Sequence, residues 1–118
     1  MHLARYVLPS PDPEQKVTVL ELAGEVDFYE RQRFVDAVDQ AAHGPNLLVI
    51  DLDRVRYMDS IGLGVLIGAH KMMIERGGRF TIVAATPLIR RLVVMTGLDR
   101  LFGMHDDVAC AVRALTAG

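Results

Sequence analysis

Cysteine and long apolar runs are scarce in this sequence. A single cysteine among its 118 residues cannot form an internal disulfide, which favours a reducing compartment. Apolar neighbours flank Cys110, and we interpret it as a small buried residue rather than a nucleophile. No apolar run approaches the roughly 18 residues that cross a membrane, and the first residues lack the apolar core of a signal peptide. We therefore expect a cytoplasmic protein without membrane insertion.

The sequence also lacks an excess of charge of one sign. Its 13 basic and 15 acidic residues give a net charge of -2, which provides no general attraction for nucleic acid. The 4 histidines are scattered, without a carboxylate or thiol at metal-ligand spacing. We expect no direct nucleic-acid binding, no metal and no cofactor.

What is present is the composition of one globular α/β domain, which we place over residues 1–118. The chain is 51% hydrophobic and 24% charged, and short apolar runs alternate with stretches of helical periodicity. This order predicts a mixed, mostly parallel sheet of about five strands with about four helices, opening with a hairpin that turns at residues 11–13. The strands are predicted at residues 3–8, 16–24, 46–52 and 79–85, with a last short strand within 98–105.

The helix after the second strand is predicted to begin at Asp27. Glu30 follows three residues later, the spacing at which each side chain can satisfy an unpaired amide of a helix start. Phe28 and Phe34 belong to the apolar residues that we place on the buried face, and the helix is predicted to end at residues 44–45.

The stretch "MDSIGLGVLIGAHK", residues 58–71, is apolar but carries three glycines, and we predict a helix over residues 60–76. Each glycine costs a helix up to about 1 kcal/mol of stability relative to alanine. We therefore expect the glycines to let another part of the molecule, or a partner, approach the helix closely. We expect Gly62 to keep bulk away from the helix start. Gly64 and Gly68 leave a shallow groove, which serves either the sheet or a partner.

This helix has two apolar stripes. We assign Ile61, Val65, Ala69 and Met72 to the sheet, with Leu66 and Met73 extending that face. Leu63, Ile67 and Ile74 form the second stripe. A wide core helix is the favoured explanation for Ile67 and Ile74, with Ile67 also a candidate partner contact. For Leu63 we favour an exposed partner surface.

Asp59 and Ser60 come where a buried strand ends and a helix begins, the usual place for ligands in open α/β sheets. An N-cap role accounts for either residue. A serine hydrolase would need a base and the G-x-S-x-G elbow, and Met58 occupies the first glycine position. Phosphorylation by another protein is the third possibility, because a phosphoserine at a helix start gains from unpaired amides and the helix dipole.

Three stretches together resemble the anti-sigma factor antagonists built on the STAS domain. They are "LAGEVDFYE", "VIDLDRVRYMDSIGLGVLIGAHK" and "GGRFTIVAATPLIRRLVVMTGLDRLF". The resemblance as a whole covers nearly the entire chain. The resemblance implies a STAS-like fold. It also places the family's phosphoacceptor on Ser60, its acidic neighbour on Asp59 and the aspartate of its first element on Asp27. Ile61 departs from the second hydroxyl of many members, which excludes a backup phosphosite there.

The resemblance further implies a binding protein rather than an enzyme. The unmodified protein would bind an anti-sigma factor that has serine kinase activity and so free the sigma factor. Phosphorylation of Ser60 would end that interaction, and a metal-dependent serine phosphatase would restore it. The expected partner-binding residues are Asp27, Asp59, Gly62, Leu63, Gly64 and Ile67.

Two other function classes stay open. One is an accessory subunit, similar to a STAS domain, of a membrane lipid or anion transporter, in which Ser60 would only cap a helix. The other is an unrecognised hydrolase, for which no base is visible in the sequence.

Overall fold

The strands of the computed structural model follow one another across the sheet in chain order, β1-β2-β3-β4-β5. The structure describes residues 1–10, 12–44 and 46–117; Pro11 and Pro45, which we predicted in the hairpin turn and at a helix end, lie outside them. The first two strands are antiparallel and the later pairs are parallel, which confirms the mixed, mostly parallel sheet. The strands are β1 (His2–Leu8), β2 (Val17–Val26), β3 (Leu47–Met58), β4 (Arg79–Val83) and β5 (Met104–His105).

Five α-helices connect and follow these strands within the described residues, one more than predicted. The helices are α1 (Arg31–Ala41), α2 (Ser60–Glu75), α3 (Pro87–Met95), α4 (Leu98–Phe102) and α5 (Val108–Thr116). In this part of the chain, none of them has both the length and the apolarity needed to cross a membrane.

The additional helix, α4, occupies most of the segment in which we predicted the last strand. Gly97 and Gly103 bracket it, with φ angles of +75° and +77° that favour glycine. Leu98 and Phe102 are both buried, and a separation of four residues puts them on one side of a helix. Only the last two residues of the segment form β5.

The core lies on both faces of the sheet. On one face, α1 to α4 pack against even-numbered strand residues such as Leu48 and Ile50. On the other face, α5 is the one helix of the described residues that packs against residues such as Val17 and Val49. The central strands are therefore buried on both faces, which explains their continuous apolar sequence.

Phe28 does not lie on the buried face of α1, and that prediction is wrong. Residues Phe28–Glu30 form a 3-10 turn, so α1 starts only at Arg31 and Phe28 is out of register with the buried Phe34. Phe28 is 66% exposed. Glu30 does not complete a reciprocal cap either, because its carboxylate accepts from the Met1 amino group and from Arg33.

Candidate functional site

Two helix starts lie side by side at the carboxyl edge of the sheet. Val26 ends β2, Met58 ends β3, and their Cα atoms are partners in the parallel register. Asp27 and Asp59 follow these two residues directly, and the Asp59 amide donates to the Val26 carbonyl over 3.3 Å. The topology therefore brings both predicted aspartates to one place.

Asp27 caps the 3-10 turn that precedes α1. Its Oδ1 accepts from the amides of Tyr29 and Glu30, at 3.0 and 3.3 Å. Extended backbone at Asp27 aims the carboxylate back at these two amides, as expected of an N-cap residue.

Asp59 caps α2 in the same way. Its Oδ1 accepts from the amides of Ile61 and Gly62, at 3.0 and 3.2 Å, and its carbonyl accepts from the Leu63 amide. The amides of residues 61 to 63 are therefore all bonded. The predicted gain from unpaired amides is therefore wrong for these three positions.

Ser60 is the first residue of α2 and its side chain is exposed. Since Asp59 is the N-cap, the cap interpretation does not apply to Ser60. Within the described residues, the Ser60 hydroxyl makes no hydrogen bond. A hydroxyl in this position is open to an external reagent.

The glycines of α2 have two different roles. Gly62 is buried, and a Cβ there would lie 2.6 Å from Met58 Cγ and 3.1 Å from Val26 Cγ1. Gly62 thus keeps bulk out of the space between the helix start and the strand ends. It serves packing and does not lie on the surface on which we placed it. At Gly64 and Gly68 a Cβ would meet nothing within 4 Å.

A groove of about 370 Å³ lies between α1 and α2, and we call it the α1–α2 groove. Its buried part is apolar, and Ser60 contributes to its lining. Gly64 and Gly68 also line this groove. The groove that we predicted at these glycines therefore faces solvent and not the sheet. The lining residues are Arg31, Val35, Val38, Asp39, Ser60, Ile61, Gly64, Val65, Gly68, Ala69 and Met72.

The apolar stripes of α2 lie differently from the prediction. Leu63 is only 7% exposed and belongs to the core, so the expectation of an exposed Leu63 is wrong. Ile67 and Ile74 are 42% and 52% exposed, so the core interpretation is wrong for them. Leu66 and Met73 are fully buried, as predicted for the sheet-facing side. The helix is rotated so that these two residues, predicted at the margin of that side, lie nearest the sheet.

Ser60, Gly64 and Ile67 are all exposed, and their spacing of four and then three residues puts them in one row along α2. We call this row the exposed stripe. It combines a hydroxyl, an open backbone segment and an apolar side chain beside the α1–α2 groove.

A comparison with protein-family models matches residues 10–111 to the model described as the STAS domain. The chain belongs to the STAS domain family. The match includes both aspartate caps, Ser60 and the α1–α2 groove, and it confirms the resemblance seen in the sequence.

Several relatives of this STAS domain are named anti-sigma factor antagonists. An anti-sigma F factor antagonist of Paenibacillus polymyxa is 30% identical over 102 residues, covering 85% of each chain. An anti-sigma-B factor antagonist of Listeria monocytogenes is 38% identical over 87 residues, covering 72% of this chain and 75% of the relative. The crystal structure of an anti-sigma factor antagonist from Mycobacterium paratuberculosis superimposes with a TM-score of 0.78 at 29% identity, over 95% of this chain and 94% of that one.

This STAS domain has an exposed aromatic pair that we did not predict from the sequence. Phe28 and Tyr29 are 66% and 89% exposed, and their rings meet edge to face with centroids 5.7 Å apart. They follow Asp27 directly and so lie at the same edge as the start of α2. Two consecutive aromatic residues after a cap could have indicated this exposure in the sequence, because two neighbouring residues cannot both face the core. Exposed aromatics of this kind are typical of interaction surfaces.

Cys110 lies in α5, away from these residues, and is half-buried rather than buried. A hydrogen bond to the Asp107 carboxylate, together with burial, raises the pKa of the Cys110 thiol. The thiol is therefore protonated at neutral pH, which disfavours a nucleophilic role. Among the described residues of the STAS domain, no three His, Cys, Asp or Glu side chains are grouped so as to hold a metal ion.

Proposed function

We propose that this STAS domain is an anti-sigma factor antagonist, and that phosphorylation of Ser60 switches its binding off. The observation that carries the proposal is the exposed Ser60 hydroxyl, which stands beside a helix cap already supplied by Asp59. The names of the relatives support the same function. The protein acts as a cytoplasmic binding regulator and not as an enzyme.

The partner in this proposal is an anti-sigma factor that has serine kinase activity. It transfers the γ-phosphoryl group of ATP to the Ser60 oxygen, so that an O–P bond forms, ADP leaves and the hydroxyl proton is released. A serine phosphatase reverses the modification by hydrolysis. The sigma factor is released while Ser60 is unmodified.

The docking surface consists of the exposed stripe together with Asp27 and the aromatic pair Phe28 and Tyr29. These residues combine exposed apolar area with a carboxylate at one edge of the molecule. Gly62 and Leu63, which the sequence placed on this surface, support it from beneath because both are buried. Asp59 contributes by fixing the start of α2.

Phosphorylation ends binding because it adds a dianion in the middle of this surface. A charge that is desolvated and unpaired at a protein interface costs about 2 to 5 kcal/mol. That cost lowers affinity roughly thirtyfold to a few thousandfold.

The test is incubation with candidate kinase anti-sigma factors and Mg-ATP, followed by mass spectrometry. Ser60→Ala is expected to abolish phosphate incorporation and to bind the anti-sigma factor persistently, whereas Ser60→Asp is expected to bind weakly. Ser10→Ala is the matched control, because Ser10 is the other serine in the sequence. Phosphate on Ser60→Ala, for example at Thr86 or Thr96, would overturn the proposal.

Further measurements separate the alternatives. A permease found as the specific partner in a pulldown would favour the transporter subunit. Labelling of Ser60 by a covalent serine-hydrolase probe would favour the hydrolase. Either result contradicts the proposed switch.

A further inference from the structure

A phosphate on Ser60 would stand in a place with few partners for its charge. The amides of residues 61 to 63 are bonded to Asp59, and the Asp59 carboxylate itself lies next to Ser60 in the chain. The first turn of α2 therefore offers a dianion one negative neighbour and no unpaired amide at these three positions. A positive group from another element would stabilise the modified state.

Arg31 is the basic residue in the right place. It is the first residue of α1, its side chain is exposed, and it lines the α1–α2 groove together with Ser60. The other described residues that line the groove are apolar or neutral, except for Asp39. Asp39 is eight residues along α1 from Arg31, about 12 Å at the rise of an α-helix.

The guanidinium of Arg31 has no competing partner in the described part of the chain, where it forms no hydrogen bond or ion pair. Arg33, one residue further on, is different. Its Nη1 donates to Glu30 Oε2 and to the Met1 carbonyl, both over 2.9 Å. The same turn of helix thus holds one arginine that is engaged and one that is available.

The positions of the two helix starts allow the contact. Val26 and Met58 are neighbours across the sheet; α1 begins five residues after Val26, and α2 begins two residues after Met58. The axes of packed helices lie about 8 to 10 Å apart, so side chains from facing helices meet between them. Guanidinium groups bind phosphate with paired, charge-assisted hydrogen bonds.

We propose that Arg31 binds the phosphate carried by Ser60 and so bridges α1 and α2 across the mouth of the α1–α2 groove. This inference rests on the proposed phosphorylation of Ser60. It adds a second effect to the switch, because the phosphorylated form differs from the unmodified form in the shape of the groove mouth as well as in charge.

The experiment installs phosphoserine at position 60 during translation, so that no kinase is needed. The second ionisation of the phosphate is then followed by phosphorus-31 NMR titration in the full chain. Its pKa in the parent is expected below the value of about 6 of an unperturbed phosphoserine. Arg31→Gln is expected to raise this pKa, so that the phosphate binds its proton at least threefold more tightly than in the parent. Arg31→Lys is expected to keep part of the lowering of the pKa.

Arg91→Gln is the matched control, because Arg91 is an exposed arginine on α3 that does not line the groove. It is expected to titrate like the parent. Amide exchange in the first turn of α1 gives a second measurement, and phosphoserine is expected to slow it in the parent but not in Arg31→Gln.

Equal titration curves for Arg31→Gln and Arg91→Gln would overturn the inference. That result would leave the proposed switch standing, since the kinase assay tests modification of Ser60 independently. Conversely, failure of every candidate kinase to modify Ser60 would not alter the titration.

Discussion

Asp59 and Ser60 are adjacent in the chain but have separate roles in the structure. The Asp59 carboxylate occupies the amides of the first turn of α2, while the Ser60 hydroxyl points outward without a bond in the described residues. A serine at the cap position would use its side-chain oxygen to accept a hydrogen bond from a backbone amide. Moving the cap one residue back therefore keeps the hydroxyl accessible.

Asp59→Asn tests whether this carboxylate also takes part in phosphoryl transfer. Asparagine caps helices about as well as aspartate, so we expect a change in the free energy of unfolding of no more than about 0.5 kcal/mol. If Asp59 orients the Ser60 oxygen or accepts its proton, the rate of phosphorylation falls about a hundredfold or more while affinity for the anti-sigma factor changes little. Kinase assays beside titration calorimetry measure the two effects.

Asp27→Asn is the control for this comparison, because Asp27 has the same capping role on the neighbouring turn but no serine beside it. It is expected to leave the phosphorylation rate of the bound complex nearly unchanged. Equal losses of rate and affinity in Asp59→Asn, or a large loss of stability, would make Asp59 a cap only.

At the scale of one element, α2 shows how glycines at different positions of a helix serve different purposes. Gly62 faces the strand ends and allows close packing, whereas Gly64 and Gly68 face open space. The open glycines therefore reduce the stability of the helix without improving the core. Their role is instead to line the α1–α2 groove and keep it open.

Alanine at Gly62 and at Gly64 is expected to have opposite effects on stability. Gly64→Ala should raise the free energy of unfolding by about 0.5 to 1 kcal/mol, because alanine is the better helix former and its methyl meets no atom. Gly62→Ala should lower it by about 1 to 3 kcal/mol, because its Cβ overlaps Met58. Urea unfolding of both variants measures this.

Gly64→Ala should also weaken binding of the anti-sigma factor, because its methyl enters the exposed stripe next to Ser60. A variant that is more stable and binds as tightly as the parent would show that the stripe is not the docking surface. If Gly62→Ala and Gly64→Ala changed the free energy of unfolding in the same direction, the assigned packing of α2 would be contradicted.

At the scale of the whole molecule, the two faces of the sheet are covered unequally. Asp51 follows Leu47 and Val49 on the face that α5 covers, and it is 8% exposed. Its neighbours are acidic, since Glu21 is its partner on β2 and Asp53 is two residues away. Burial, together with the charges of these neighbours, raises the pKa of Asp51, although a hydrogen bond from the Asp53 amide opposes the shift.

Asp51→Asn is expected to stabilise the protein at neutral pH. A carboxyl whose pKa is raised by folding is favoured in its neutral form, so its stabilising contribution is present at low pH and is lost as pH rises through the folded pKa. Asparagine is neutral at every pH. The gain should therefore be largest above the folded pKa and should shrink as pH falls to about 4, near the ordinary pKa of aspartate.

Thermal melting at several pH values measures this gain, with Asp36→Asn on the exposed side of α1 as control. A loss of stability at neutral pH would mean that the bond between the ionised carboxylate and the Asp53 amide outweighs the cost of burial. A gain that does not vary with pH would exclude titration of Asp51 as its cause.

Much of this fold follows from local sequence. The buried strands β3 and β4 are continuous apolar runs, and both aspartate caps stand at the start of a helical pattern. Glycine and proline mark the element ends. The candidate site benefits from the same signals, because Ser60 is placed as soon as the start of α2 is known.

The rotation of helices could not be obtained from the pattern. α2 is apolar on more than one side, so periodicity alone does not decide whether Ile61 or Leu66 lies nearest the sheet. That ambiguity led to the wrong exposure for Leu63. Arg31 was missed for a related reason, since only the packing of α1 against α2 shows that Arg31 rather than Arg33 lines the groove.

The order of the strands has a consequence for synthesis of the protein. Because each strand pairs with the one made just before it, the sheet can grow at a single edge as the chain leaves the ribosome, and no strand must be inserted between two others. Each stage exposes the edge that the next strand will cover. Growth stops at β5, which is only two residues long, and so short an edge gives another chain little backbone with which to pair.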